Sequence, residues 1–204
     1  MILEKVVVGP IETNCYILAS GLNSKAIIID PGDHCRRIKE VLQKYSLVPA
    51  MVINTHGHYD HIGCDGEFGV PVYIHHRDAV YLKEPGANLS LFFAGSFRVE
   101  AEIRELEDGQ IIREGEIQLK VLHTPGHTPG GVSLLMEKPT NKIVFTGDTL
   151  FAEGIGRTDF SGGNQTQLLE SIREKLFILA DDTVIYPGHG ASSTIGKEKE
   201  QNYG

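Results

Sequence analysis

Between residues 54 and 61 the chain reads Asn54-Thr55-His56-Gly57-His58-Tyr59-Asp60-His61, three imidazoles and a carboxylate within six residues. Imidazole nitrogens and carboxylate oxygens are the donors that divalent cations such as zinc and ferrous iron take. Two histidines at i and i+2 on an extended turn point the same way, whereas the adjacent Asp60 and His61 diverge. One short loop can therefore feed two neighbouring metals. Further donors lie downstream: His127 in the turn His123-Thr124-Pro125-Gly126-His127-Thr128-Pro129-Gly130, Asp148 in Thr146-Gly147-Asp148, and His189 in Tyr186-Pro187-Gly188-His189-Gly190. Five histidines and two aspartates suffice for two cations with three or four protein ligands each, with room for a bridging water, the stoichiometry that hydrolysis needs. Asp148 is the carboxylate able to bridge. His123 ends an apolar strand and reads as structural, and His34, His75 and His76 read as surface or capping residues.

Each of these clusters directly follows an apolar run. Val6 to Val8, Cys15 to Leu18 and Ala26 to Ile29 read as successive strands, the last closed by Asp30-Pro31-Gly32. Asp30 is read there as a turn cap, with support of a histidine ring as its other role. From Arg36 to Tyr45 the apolar positions Ile38, Val41, Leu42 and Tyr45 have helical spacing, and Pro49 separates that helix from a strand over Met51 to Asn54. A second, weaker step runs through Val70 to Ile74 and a helix near Arg77 to Lys83. The stretch Glu84 to Phe97 follows as an irregular loop able to cover a site. Strands are expected at Glu102 to Leu106, Ile117 to Leu122, Gly131 to Met136, Lys142 to Thr146 and Thr183 to Tyr186, and a helix at Leu168 to Leu179. Strands alternating with helices in both halves predict an α+β fold of two mixed sheets packed face to face, a four-layer αββα sandwich.

The 204 residues are read as a single domain, 1–204, with 41% hydrophobic residues to fill one core. No apolar run approaches the roughly 20 residues a bilayer requires, and the amino terminus lacks the pattern of a secretory signal. The expected location is cytoplasmic, with no membrane partner. Three widely spaced cysteines, Cys15, Cys35 and Cys64, fit reduced thiols better than a disulfide framework. A net charge of −8 argues against nucleic acid, whose binding needs concentrated Lys and Arg. It does not exclude a small anionic substrate, because a metal site sets its own local charge.

In order and spacing, Thr-His-x-His-x-Asp-His, the Thr-Pro-Gly-His turn, Gly-Asp-Thr and Pro-Gly-His resemble the metallo-β-lactamase superfamily over nearly the whole chain. The resemblance implies one metal on His56, His58 and His127, a second on Asp60, His61 and His189, and Asp148 between them. It implies two divalent ions, zinc first, with iron or manganese as alternatives. The run Gly154-Ile155-Gly156-Arg157-Thr158-Asp159-Phe160 is similar to that of glyoxalase II-like hydrolases and of persulfide dioxygenases. True β-lactamases fit poorly, being exported and carrying Cys where Asp148 stands. Relative to glyoxalase II the carboxyl-terminal helical domain that grips glutathione is missing. A tyrosine two residues after the last ligand is replaced by Ala191, which leaves Arg157 as the remaining substrate anion contact or, equally, as an ion-pair residue.

The function so implied is binuclear metal-dependent hydrolysis of a thioester or ester, a hydroxyacylglutathione being the type substrate. The nucleophile would be a hydroxide held by Asp148 and both metals, with Asp60 both binding metal and orienting the water. The alternative is a mononuclear iron persulfide dioxygenase, since His56, His127 and Asp148 alone make a two-histidine, one-carboxylate set. The partner in either case is a small molecule.

Overall fold

The computed structural model describes residues 1–140 and 142–203. One sheet takes its strands in chain order: β1 (Ile2–Val8), β2 (Thr13–Ala19), β3 (Lys25–Ile29), β4 (Val48–Ile53), β5 (Val72–His75) and β6 (Ile103–Leu106). Its first three strands are antiparallel and β3 to β6 are parallel. The second sheet is built from β7 (Ile111–Glu114), β8 (Ile117–His123), β9 (Val132–Lys138), β10 (Ile143–Gly147), β13 (Val184–Pro187) and β14 (Ser193–Thr194), with β10 and β13 parallel. A small hairpin of β11 (Leu150–Phe151) and β12 (Gly154–Ile155) lies between β10 and β13 in the chain.

Three apolar cores separate four layers. Val8, Cys15, Ile17 and Ile28 pack against Ile38 and Leu42 of helix α1 (Cys35–Lys44) on the outer face of the first sheet. Tyr16, Leu18, Ile27, Ile29 and Ile53 meet Leu119, Val121, Leu134 and Phe145 between the sheets. Val144 and Ile185 pack outward on Leu168, Ile172, Leu176 and Ile195. Alternate residues of β2 enter different cores, so every one of its positions is buried. That is why its stretch from Cys15 to Ala19 is apolar throughout rather than alternating. The expected αββα arrangement of two mixed sheets is the observed one.

Local departures have local causes. Pro49 lies inside β4, where it is tolerated because the β3–β4 register shifts between Ala26 and Ile27 opposite it. The helix expected near Arg77 to Lys83 is a single 3-10 turn, Ala79–Leu82. After α2 (Tyr59–Ile62), the irregular stretch 84–97 contains the short helix α3 (Ser90–Phe93). Helix α4 (Gln165–Ser171) starts before Leu168 because the Asn164 side chain accepts a hydrogen bond from the Gln167 amide, and it passes into a π turn, Ile172–Leu176. Strand β7, the β11–β12 hairpin and β14 are too short to show periodicity. Helix α5 (Ile195–Tyr203) reads as polar, and buries Ile195 and Glu198.

Two sequence expectations are corrected. Cys35 and Cys64 form a disulfide, and only Cys15 is free. The first turn of α1 packs beside the end of α2, where the Cys64 amide donates to the Pro31 carbonyl. A 29-residue separation gave no sign of that proximity, and paired cysteines no longer favour a reducing compartment. His75 is buried, not a surface residue, and its ring stacks on His123 at 4.1 Å. No helix among the described residues is long and apolar enough to cross a membrane.

Candidate metal centre

The carboxyl ends of β4, β8, β10 and β13 meet at one edge of the sandwich, and the loops leaving them carry the donors. β4 delivers His56 and His58 on an extended loop and then Asp60 and His61 on α2. β8 delivers His127, β10 delivers Asp148 directly after Gly147, and β13 delivers His189. Parallel pairing of β10 with β13 is what brings Asp148 to His189, because both strands then end on the same side. The edge is sealed across the two sheets. The Asn14 amide donates to the Gly188 carbonyl at 2.7 Å, and the Val132 amide donates to the Thr55 carbonyl at 2.8 Å.

Three groups of side chains each present donor atoms within 4.8 Å of one another: His56, His58 and His127; Asp60, His61 and His189; and His56, His61 and Asp148. The seven residues expected from the sequence are thus brought together, and Asp148 stands between the halves. Its Oδ1 lies 3.5 Å from His61 Nε2, and its Oδ2 lies 3.6 Å from both His127 Nε2 and His189 Nε2. A Cβ on Gly188 would fall 2.2 Å from Asp148 Oδ1 and 2.8 Å from His61 Cε1. The Pro-Gly-His spelling is therefore steric: only glycine leaves Asp148 its place.

Orientation comes from the far side of each ring. His127 Nδ1 donates to the Arg157 carbonyl at 2.6 Å, which leaves its Nε2 lone pair facing His58 Nδ1 at 2.9 Å. His189 Nδ1 donates to the Ile11 carbonyl at 3.1 Å, and the Thr13 hydroxyl donates to Asp60 Oδ2 at 2.9 Å. Asp30 Oδ2 lies 3.0 Å from His61 Nδ1, while its two oxygens also accept from the Thr55 amide and hydroxyl, each at 2.7 Å. Asp30 is therefore the carboxylate behind a histidine ring and not a turn cap alone.

Electrostatics divides the centre. Burial and the adjacent His127 push His58 down to about 3, and burial with the surrounding imidazoles holds His56 well below the ordinary histidine value. This half is a set of neutral nitrogen donors. Around His61 burial opposes the charged ring, yet Asp60, Asp148 and Asp30 outweigh it and raise its pKa. That half is rich in carboxylate. His56 Nε2, His61 Nε2 and Asp148 Oδ1 are buried without a hydrogen-bond partner, a state that costs about 1–3 kcal/mol per group unless something else satisfies it. Unpartnered imidazole nitrogens and a carboxylate oxygen converging on one point fit divalent cations.

The model of the Metallo-beta-lactamase superfamily matches residues 8–189, which contain all seven donors. The chain belongs to the metallo-beta-lactamase superfamily. An uncharacterised protein of Mycobacterium tuberculosis is 42% identical, with 99% of this chain and 96% of that protein covered. A probable metallo-hydrolase of Bacillus subtilis is 37% identical over 98% and 95% of the two chains. A protein of Haemophilus influenzae named hydroxyacylglutathione hydrolase is 34% identical over 99% and 97%.

Among solved structures, a B3 metallo-beta-lactamase called BLEG-1 superposes with a TM-score of 0.91 at 35% identity, covering 99% of this chain and 98% of its own. A protein solved in a di-iron-bound form gives 0.84 at 32%, with 98% of each chain covered. ETHE1 from Myxococcus xanthus gives 0.78 at 30%, with 100% of this chain and 84% of that one covered.

In this superfamily member the structure adds residues that the sequence did not single out. Asp78 is buried, and its carboxylate accepts from the Gly57 amide, the Thr128 hydroxyl and the Gly130 amide at 3.1, 2.7 and 2.6 Å. It ties the two ligand loops together. Its only sequence signal was an acid in a weakly helical stretch. Ile11 precedes and Thr13 begins β2, and no local pattern connects them with His189 and Asp60, 178 and 47 residues downstream. Arg157 borders the cavity above the donors, but its guanidinium is paired with Asp159 at 2.7 and 2.6 Å and lies over the Phe160 ring at 4.0 Å. Its backbone carbonyl, which orients His127, has no sequence signature.

Proposed function

We propose that this protein is a binuclear metal-dependent hydrolase of thioesters, with hydroxyacylglutathiones among its substrates. The observation that carries the reading is the second donor group. Asp60, His61 and His189 form a complete set beside His56, His58 and His127, with Asp148 between them. When bound, two divalent cations, zinc first, supply a Lewis acid and a water acidic enough to attack near neutral pH.

The chain's own contribution follows from the geometry. Thr13, Asp30 and the carbonyls of Ile11 and Arg157 fix the donors before substrate arrives. Asp60, anchored by Thr13, is the carboxylate placed to orient the attacking water. Outside the seven donors, the only titratable side chains lining the cavity, among the described residues, are Tyr59 and Arg157. Arg157 is held protonated by Asp159, and burial and Asp60 raise the pKa of Tyr59. Such a site has little to offer a poor leaving group. A thiolate, whose acid has a pKa of about 8.5, departs without a proton donor, and this favours thioesters over amides. The name of the Haemophilus influenzae relative agrees with that choice.

The test is hydrolysis of S-lactoylglutathione by metal-loaded protein, with Asp148→Ala as control. A kcat/KM within the enzymatic range of about 10⁴ to 10⁸ M⁻¹s⁻¹ is expected, lost together with metal in the variant. The alternative, a mononuclear iron persulfide dioxygenase, gains support from the likeness to ETHE1, yet it leaves the carboxylate-rich donor group without a role. Oxygen uptake with glutathione persulfide and no thioester cleavage would establish it in place of the hydrolase.

A further inference from the structure

Above the donors lies a cavity of about 490 Å³ whose floor is His58, Asp60, His127, Asp148 and His189. Its walls are Ile11, Leu89, Phe93, Phe151, Ile155 and Phe160. Phe93 on α3 and Phe160 on the facing loop stand 6.5 Å apart, centroid to centroid, with inclined rings. Tyr59 stacks behind Phe93 at 5.9 Å, and His58 meets the edge of Phe160 at the same distance. Phe93 is 61% exposed and Ile11 47% exposed, so the mouth presents apolar surface that the protein itself does not cover.

Charge is scarce there. Arg157 is the only lysine or arginine lining the cavity among the described residues, and two of its donors and one face are committed to Asp159 and Phe160. A substrate bearing two free carboxylates, as glutathione does, would find one already neutralised cation and would lose hydration for little return. An aromatic or branched acyl group would instead bury its surface against the apolar wall of the cavity.

We infer that, within the thioester hydrolase reading on which this rests, the enzyme selects substrates by an uncharged apolar acyl group packed against the aromatic wall that Phe93 and Phe160 form together. It does not select them by the carboxylates of the thiol. Phe93 is the specificity-determining residue, because it reaches the cavity from a short surface helix and its ring contacts are with Tyr59, Phe92 and Phe160 rather than with a donor ring.

The experiment compares three thioesters on the metal-loaded protein, with spontaneous hydrolysis of each subtracted: S-phenylacetyl-N-acetylcysteamine, S-lactoyl-N-acetylcysteamine and S-lactoylglutathione. The expected result is a kcat/KM for the phenylacetyl thioester at least ~10-fold above both lactoyl thioesters. The lactoyl pair should agree within about threefold, since among the described residues the one lysine or arginine lining the cavity, Arg157, is already paired with Asp159. In Phe93→Ser the phenylacetyl preference should collapse towards unity, and in Phe93→Leu it should be largely restored. Preference for S-lactoylglutathione over the other two would overturn the inference and leave the hydrolase standing. An unchanged acyl preference in Phe93→Ser would equally overturn it. Failure to cleave any of the three would remove the hydrolase reading and this inference with it.

Discussion

Asp78 shows how a single residue decides whether separate loops make one site. It touches none of the seven donors, yet Gly57 sits between His56 and His58, and Thr128 and Gly130 flank the other loop just after His127. Burial raises its pKa against the three hydrogen bonds that lower it, so the site carries an acid whose removal would strand three buried donors. Asp78→Ala should lower stability by about 3 kcal/mol, read as a shift in the urea midpoint. It should also weaken metal retention against a chelator, because the His58 and His127 loops are no longer tied. Asp78→Asn keeps one accepting oxygen and should fall between the two. Unchanged metal retention in Asp78→Ala would show that the loops hold their positions without it. At this scale the sequence displayed the donors themselves but, apart from Asp30, not their supports. His56 to His61 is a dense cluster of one chemistry, whereas Asp78, Thr13 and the Arg157 carbonyl act through contacts that exist only after folding.

Elements were legible where both faces of a strand are buried or one face of a helix repeats. Strands β2, β3 and β10 announce themselves by unbroken apolar runs, and α1 by Ile38 and Leu42 one turn apart. Two-residue strands and the 3-10 turns carry no period to detect. The contact of β5 with β8 was invisible for another reason: it depends on His75 and His123, each ending its strand, stacking face to face between two sheets.

That stack carries a pH signature. Burial and the neighbouring His123 and His76 hold His75 at about 4, whereas an unfolded histidine titrates near 6.5, so between those values the unfolded chain binds a proton that the folded chain refuses. Stability from this source is fully present above pH ~6.5 and is lost as pH falls towards ~4. Urea midpoints measured across that window should fall with pH, and less steeply in His75→Asn. An equal slope in the variant would place the acid sensitivity elsewhere.

At the scale of the whole molecule, two mixed sheets with helices outside exist to hold four strand ends at one edge, and the seven donors leave from those ends. The αββα arrangement was readable because strand–helix alternation in both halves admits few packings. The Cys35–Cys64 disulfide was not readable, because it depends on where α1 docks. The two donor groups likewise become two groups only in three dimensions, divided by electrostatics into neutral imidazoles and a carboxylate-rich half.

The central claim is that both halves are used together, and metal stoichiometry tests it most directly. Protein loaded with zinc, freed of excess by gel filtration and assayed by elemental analysis, should hold two ions per chain, with one lost in Asp60→Ala and binding impaired at both positions in Asp148→Ala. Saturation at a single ion per chain, with Asp60→Ala binding as much as the parent, would contradict the binuclear account.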